Sequence, residues 1–296
     1  MIDICTVTWN RKIRIERLID TFSVRGEEVQ NGHRFVIVDN GSQDDTHEYL
    51  LSQKERLGDK IVVIKLDEKV PVSQAFNQSL EWFSKHGSDY VFLCHSDLAY
   101  GYAIDDKDPL DALVLSISRS DGTDILSPLS DRIQPHLQMP KNKKLYDKTK
   151  DTFQFNSVAV MISRKVVETV GFFDPEYEFF FYDMDYSRRA LEKGFKIKLH
   201  RGVFFPHPTP EPDEIIKEAV LSQVESEQLA IKDGDYYNKK WKIFPAAADV
   251  FMNRTDVGKV ENALLFGKIV FPATTVAEEK TETGTFRFSG TLTKLG

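Results

Sequence analysis

The stretch Tyr90-Val91-Phe92-Leu93-Cys94-His95-Ser96-Asp97 constrains the fold of this chain more than any other. From Tyr90 to Cys94 it is apolar without alternation, the pattern of a strand buried on both faces of a parallel sheet. The run stops abruptly at His95, Ser96 and Asp97. Ligands of open α/β sheets gather at the carboxyl ends of strands. A carboxylate placed there can hold a divalent cation against a phosphate.

Similar runs precede it at 2–8, 35–38 and 61–66. Between the first two, Ile13, Ile15, Leu18, Ile19 and Phe22 recur at helical spacing. Asp39-Asn40-Gly41-Ser42 is a turn signal. Ser42 reads as the N-cap of the next helix, with Asp45 at N3 and an end near residue 57. Pro71 suits the first turn of a third helix, whose apolar face is Val72, Ala75, Phe76, Leu80 and Phe83. Strand and helix alternating over short connections imply right-handed crossovers and a parallel sheet.

The second half is less regular. Helices are expected over 110–117, 183–193 and 211–232, and strands over 124–126, 155–162 and 195–199. Residues 129–151 read as a mobile loop carrying Lys141, Lys143 and Lys144. From about residue 258 the composition turns to alternating, Thr- and Gly-containing β-rich sequence. Residues 257–296 are expected to form a small β appendage or an oligomer contact, and the sequence leaves both open.

At 296 residues the chain can build one large domain or two small ones. No stretch of about 18 apolar residues occurs, so no transmembrane helix is expected. The first strand begins at once, without a basic n-region, so the expected compartment is the cytosol, with peripheral membrane association left open. Cys5 and Cys94 lie in apolar runs and read as buried thiols. The net charge of −7 disfavours broad nucleic-acid binding. An acidic protein handling an anionic nucleotide needs a local cation to offset the repulsion.

Asp39, ending the second strand, can accept from a base N–H or a ribose hydroxyl. An Asx-turn with a helix cap explains the same residues without a ligand. Asp183 and Asp185 open a helix, where acids are favoured by the macrodipole whether or not they react. His207, between Pro206 and Pro208, is an ordinary loop residue or a ligand; His200 competes with it. The clusters at Lys141–Lys144 and Lys239-Lys240-Trp241-Lys242 are solvated faces or parts of a loop closing over phosphates.

Several segments, in order, resemble one family. Thr8-Trp9-Asn10-Arg11 and Val38-Asp39-Asn40-Gly41-Ser42, with Asp44 and Thr46, resemble the opening of the family-2 glycosyltransferases of the GT-A fold. Val72-Ser73-Gln74-Ala75-Phe76-Asn77 resembles a helix of that family. His95-Ser96-Asp97 falls at its Asp-x-Asp-type metal motif. Gly171-Phe172-Phe173-Asp174 and Phe179-Phe180-Phe181-Tyr182-Asp183-Met184-Asp185, with Arg189 and Gly194, resemble its acceptor-side signature. Tyr237 to Trp241 resembles a late motif. The similarity spans about residues 2–242.

The resemblance implies an α/β fold of GT-A (Rossmann-like) type, a mostly parallel sheet flanked by helices. The expected domain covers 1–256, with a nucleotide-binding half at 1–98 and an acceptor half at 99–256. It implies a nucleotide-diphosphate-sugar donor, a UDP-sugar by commonest expectation, and transfer with inversion to a glycan or other hydroxyl acceptor. Thr8, Asn10, Arg11, Asp39, Asn40, Asn77, His95 and Ser96 are the implied donor contacts. Asp97 and His207 are the implied ligands of Mn²⁺ or Mg²⁺, and Asp183 is the implied general base. His95 and Tyr182 stand where the family usually has acids, and Pro71 where it usually has Gly. Two rivals follow: a module that binds the donor without turnover, motivated by His95 and Tyr182, and a sugar nucleotidyltransferase. The second needs a Gly-rich phosphate loop, which Thr8 to Arg11 does not supply.

Overall fold

The computed structural model describes residues 1–24, 33–103, 107–119, 123–130, 149–207 and 223–242. Expectations for Lys141, Lys143 and Lys144, for most of the 211–232 helix and for the 257–296 tail lie outside these residues.

The first half alternates as expected: β1 (Ile2–Thr8), α1 (Lys12–Val24), β2 (Arg34–Asp39), α2 (Thr46–Leu57), β3 (Ile61–Lys65), α3 (Val72–His86) and β4 (Tyr90–His95). These four strands pair in parallel, in the order β3-β2-β1-β4. Side chains alternate across the sheet with period two. Ile4 and Phe92 pack on one face beneath Ile15, Leu18, Ile19 and Phe22 of α1. Cys5, Val36, Val91 and Leu93 pack on the other beneath Phe76, Leu80 and Phe83 of α3. Helices on both faces are why these strands read as continuous apolar runs.

The second half adds β5 (Tyr102–Ala103), α4 (Pro109–Arg119), β6 (Thr123–Leu129), β7 (Thr149–Thr152), β8 (Ala159–Ser163), α5 (Arg164–Val170), α6 (Tyr182–Glu192), β9 (Lys196–Phe204) and α7 (Gln223–Trp241). The sheet continues from β4 through β8, β6 and β9 to β5, and β7 pairs with β9. Strand β8 runs antiparallel to both β4 and β6, and β9 is parallel to β6. The result is one mixed sheet, with four parallel and four antiparallel pairings among the described residues and an all-parallel first half where a mostly parallel sheet was expected throughout. Helices α1, α2 and α4 cover one face, and α3, α5 and α6 with Tyr237 of α7 cover the other.

Four local expectations are corrected. Ser42 does not cap α2, which starts at Thr46. Its hydroxyl accepts the Asn10 N–H and its own N–H reaches Asp39 Oδ1, so both polar groups serve the loop. The strand expected from 155 starts only at Ala159, because the N–H groups of Phe155 and Ser157 are drawn to side chains of α6 instead of a ladder. Part of the expected 129–151 loop is ordered as β7. Helix α7 runs beyond residue 232 to Trp241, carrying the late motif on a helix.

Cys5 and Cys94 are buried free thiols. Among the described residues no helix is long and apolar enough to cross a membrane.

Candidate active site

Register brings the polar ends of the strands to one edge. Thr8 pairs with Asp39, Asp39 with Lys65, and Val7 with His95. The loops leaving β1 and β2 are latched together: Asn10, at φ +50°, donates its N–H to Ser42 Oγ at 2.9 Å, and its Oδ1 accepts the Gln43 N–H at 2.7 Å. Asp39 is fully buried, and His47 Nδ1 lies 3.0 Å from its Oδ2. Asn40 is a brace: its side chain exchanges two hydrogen bonds with the backbone of Val70.

At the end of β4 the donor atoms of His95, Asp97 and His207 lie within 4.8 Å of one another. His207 follows β9, and its Nε2 is 3.0 Å from Asp97 Oδ1. The other oxygen, Oδ2, meets Arg14 Nη1 at 2.8 Å and Arg11 Nη1 at 3.8 Å. Burial by itself would push the Asp97 carboxyl up. The hydrogen bond from His207 and the charges of His207, His95 and Arg14 outweigh it and hold the group far below the usual carboxylate range. One carboxylate and two imidazoles are a donor set that could hold a divalent metal ion. His200 does not join them. It lies within β9, where its Nδ1 accepts the Gly202 N–H.

Asp183 lies in the first turn of α6. Its Oδ2 accepts the Ser157 N–H at 3.1 Å and its Oδ1 the Met184 N–H at 2.8 Å. The next residue along, Val158, accepts the His95 N–H at 3.1 Å. Asp183 is thereby tied to the segment that borders the carboxyl end of β4. Burial raises its carboxyl above the ordinary value, and the N–H groups of Ser157 and Met184 offset this only in part. Asp185 is spent on structure: it is buried and holds Arg189, Lys240 and the Trp241 indole N–H.

The family model for glycosyl transferase family 2 matches residues 3–171, more than half of the chain. The chain belongs to glycosyl transferase family 2. Its fold is shared by TarS of S. aureus, at 13% identity and TM-score 0.53 over 80% of this chain and 72% of that one. It is shared too by the mannosyltransferase PcManGT from Pyrobaculum calidifontis, solved with GDP-Man and Mn²⁺, at 14% identity and TM-score 0.58 over 89% and 73%. GalNAc-T7, solved with UDP, GalNAc and Mn²⁺, aligns at 14% identity and TM-score 0.55, covering 72% of this chain and 44% of its own. No curated protein matches the sequence.

In this glycosyltransferase two further features shape the edge near α6. Buried Asp233 of α7 accepts the N–H groups of Glu178, Phe179 and Phe180 at 3.1, 2.8 and 2.8 Å. The residue that follows, Phe181, is left-handed at φ +61°, a conformation that persists only where its surroundings enforce it. Asn77 is tied to the same scaffold, since both ends of its amide are bonded to the Phe173 backbone. Arg14, His47 and Asp233 were not among the expected site residues. A signal existed for Arg14, a cation on the stripe it shares with Leu18 and Phe22 one and two turns on; its buried charge demands an anion.

Proposed function

We propose that this glycosyltransferase uses a nucleotide-diphosphate-sugar donor and a divalent cation, Mn²⁺ or Mg²⁺, and that it inverts the anomeric centre with Asp183 as general base. The observation that carries the reading is the convergence of His95, Asp97 and His207 at the edge of the sheet where the loops after β1 and β2 also end. The GDP-Man and Mn²⁺ bound to PcManGT and the UDP and Mn²⁺ bound to GalNAc-T7 support the same class of donor and ion here.

Asp97 and His207 would hold the ion, with His95 as a third donor. The ion supplies Lewis-acid stabilisation of the negative charge that develops on the departing diphosphate. Arg11, half-buried beside Asp97, adds a fixed positive charge on the same side. Asp39 would accept from the base or ribose, with His47 Nδ1 beside its second oxygen. Thr8, Asn10, Asn40 and Ser96 shape the loops around the donor.

Asp183 takes the proton from the acceptor hydroxyl as that oxygen attacks the anomeric carbon. The bond from that carbon to the diphosphate oxygen breaks on the opposite face, and nucleoside diphosphate leaves. A raised carboxyl pKa suits this role, because a stronger base draws the proton more effectively. The transfer needs one carboxylate at this position and no covalent intermediate.

A panel of nucleotide-sugars and acceptors, with Mn²⁺ or with EDTA, tests the reading through release of nucleoside diphosphate and the anomeric configuration of the product. Metal-dependent release with inverted product is expected. Retained configuration, or undiminished turnover in EDTA, would contradict it.

A further inference from the structure

A second group of metal-ligating side chains lies at the other end of the sheet. His33, just ahead of β2, and Asp108 and Asp111, at the start of α4, bring one donor atom each to within 4.8 Å of one another. His33 precedes Arg34, which pairs near the start of β1 with Asp3, whereas Asp39 at the far end of β2 pairs with Thr8. Strand rise puts His33 roughly 20 Å from Asp39. Both ring nitrogens of His33 are buried, and neither has a hydrogen-bond partner among the described residues. Nε2 lies 4.0 Å from Asp111 Oδ1, beyond hydrogen-bond reach. Buried polar groups of native folds are met by something, and an imidazole beside two carboxylates suits a cation. Asp108 is already aimed. Its Oδ1 accepts the N–H groups of Leu110 and Asp111 at 2.9 and 3.1 Å, and its Oδ2 accepts the Tyr100 hydroxyl. Those bonds leave open one of the roughly four acceptor sites of a carboxylate.

We propose that His33, Asp108 and Asp111 form a second cation site, which takes a divalent transition-metal ion of the Zn²⁺ type and staples the start of β2 to the first turn of α4. An imidazole ligand selects against Mg²⁺ and Ca²⁺, and the affinity order of the divalent metals places Zn²⁺ above Mn²⁺. Two ligands of a tetrahedral ion with bonds of about 2.0–2.2 Å lie roughly 3.3–3.6 Å apart. A small inward swing of Asp111, whose side chain is 62% exposed, closes the present gap. Water completes the shell. The Tyr100 hydroxyl holds the Asp108 carboxylate from behind, as groups next to a metal ligand commonly do. The positive end of the α4 dipole opposes a cation, but it counts as about half a charge against two full carboxylates. Burial lowers the pKa of His33, and Asp111 and Asp108 offset this only in part, so the neutral ring that ligates a metal prevails at neutral pH. The joined segments flank one core, where Phe35 of β2 packs with Leu110 and Leu113 of α4. Binding there stabilises the folded chain.

The test is calorimetric titration of the full chain with Zn²⁺ alone, at neutral pH and without nucleotide. The proteins are wild type, His33→Gln, Asp111→Asn and His207→Ala, each checked for folding by circular dichroism. His33→Gln and Asp111→Asn are each expected to weaken one Zn²⁺ per chain at least about tenfold, since even the loss of a group that only orients a ligand costs that much. His207→Ala, which alters the cluster beyond β4, keeps that ion. Zn²⁺ at about 100 times its Kd should raise the melting temperature of wild type and His207→Ala by about 5–10 °C, and that of His33→Gln by clearly less. Asp111 is largely exposed, so its isosteric replacement carries the test even if His33→Gln fails to fold. Site variants that fold and bind Zn²⁺ as wild type does would show an adventitious ion only and overturn the proposal. So would a wild type that binds no Zn²⁺ below about 1 mM. Loss of all Zn²⁺ binding in folded His207→Ala would assign the ion to the cluster beyond β4 and overturn it as well.

Discussion

His207 Nε2 lies 3.0 Å from Asp97 Oδ1, joining the residue just beyond β9 to the loop just beyond β4. The contact has the geometry of a pair that a divalent ion could bridge, with both side chains already oriented. His207→Ala removes one donor and releases the carboxylate from its partner. The Mn²⁺ concentration for half-maximal turnover is expected to rise at least about tenfold, in keeping with the cost of losing a group that orients a ligand. Steady-state rates over a Mn²⁺ titration check this. An unchanged metal requirement would remove His207 from the ligand set.

Asp183 gives a prediction in pH. Its folded pKa is raised above the ordinary 3.8 by burial. Between those two values the folded protein binds more protons than the unfolded chain, so its contribution to stability is greatest below 3.8 and is lost as pH rises through the folded value. Turnover moves the other way, because the base must be ionised: kcat/KM should fall as pH drops through the raised pKa. Asp183→Asn is expected to lower kcat by about 100-fold or more. Its melting temperature should gain on wild type as pH rises from the acid range to neutrality. Paired rate and melting profiles check both. An acid limb at the ordinary aspartate value would argue against a buried base.

Asp233 holds three successive N–H groups just ahead of the left-handed Phe181 and the helix that carries Asp183. Asp233→Ala leaves those donors without their acceptor, at about 1 kcal/mol each, so a loss near 3 kcal/mol is expected. For a domain of this size that is a fall of about 6–12 °C in melting temperature. If Asp233 positions the base as well as the fold, kcat at saturating donor should drop further than donor KM rises. Thermal melts and donor-saturation kinetics separate the two effects.

The parts legible in the sequence are those whose cause is local. Strands β1 to β4 announce themselves because burial on both faces demands unbroken apolar runs, and His95 to Asp97 because polarity begins where the strand ends. What stayed hidden depends on partners distant in sequence. Nothing near Ser42 says that its hydroxyl will serve Asn10 instead of a helix end. The bonds that Asn77 makes to the Phe173 backbone are hidden for the same reason, since the two residues are remote in sequence. Strand β8 sits antiparallel between β4 and β6, an order that no local pattern encodes. Arg14 could have been questioned from its helical spacing alone, but the identity of its anion required the fold.

Gly41 links the donor edge to the neighbouring loop, and its replacement tests that arrangement. It sits at φ +73°, where a side chain is strained. A Cβ there would lie 2.5 Å from the Glu68 carbonyl carbon and 2.6 Å from the Lys69 nitrogen, both backbone atoms that cannot swing aside. The segment 68–70 would have to retreat, yet Asn40 ties it down through its two bonds to Val70. Gly41→Ala should therefore cost about 2–4 kcal/mol, combining left-handed strain with overpacking. Because the displaced backbone borders the Asp39 loop, the donor KM should rise as well, while Mn²⁺ binding without nucleotide changes little, since the groups that meet Asp97 are Arg11, Arg14 and His207 and not residues 68–70. Denaturant unfolding and donor-saturation kinetics measure the two. A melting loss without any change in donor KM would show that the 68–70 segment supports the fold and takes no part in holding the nucleotide.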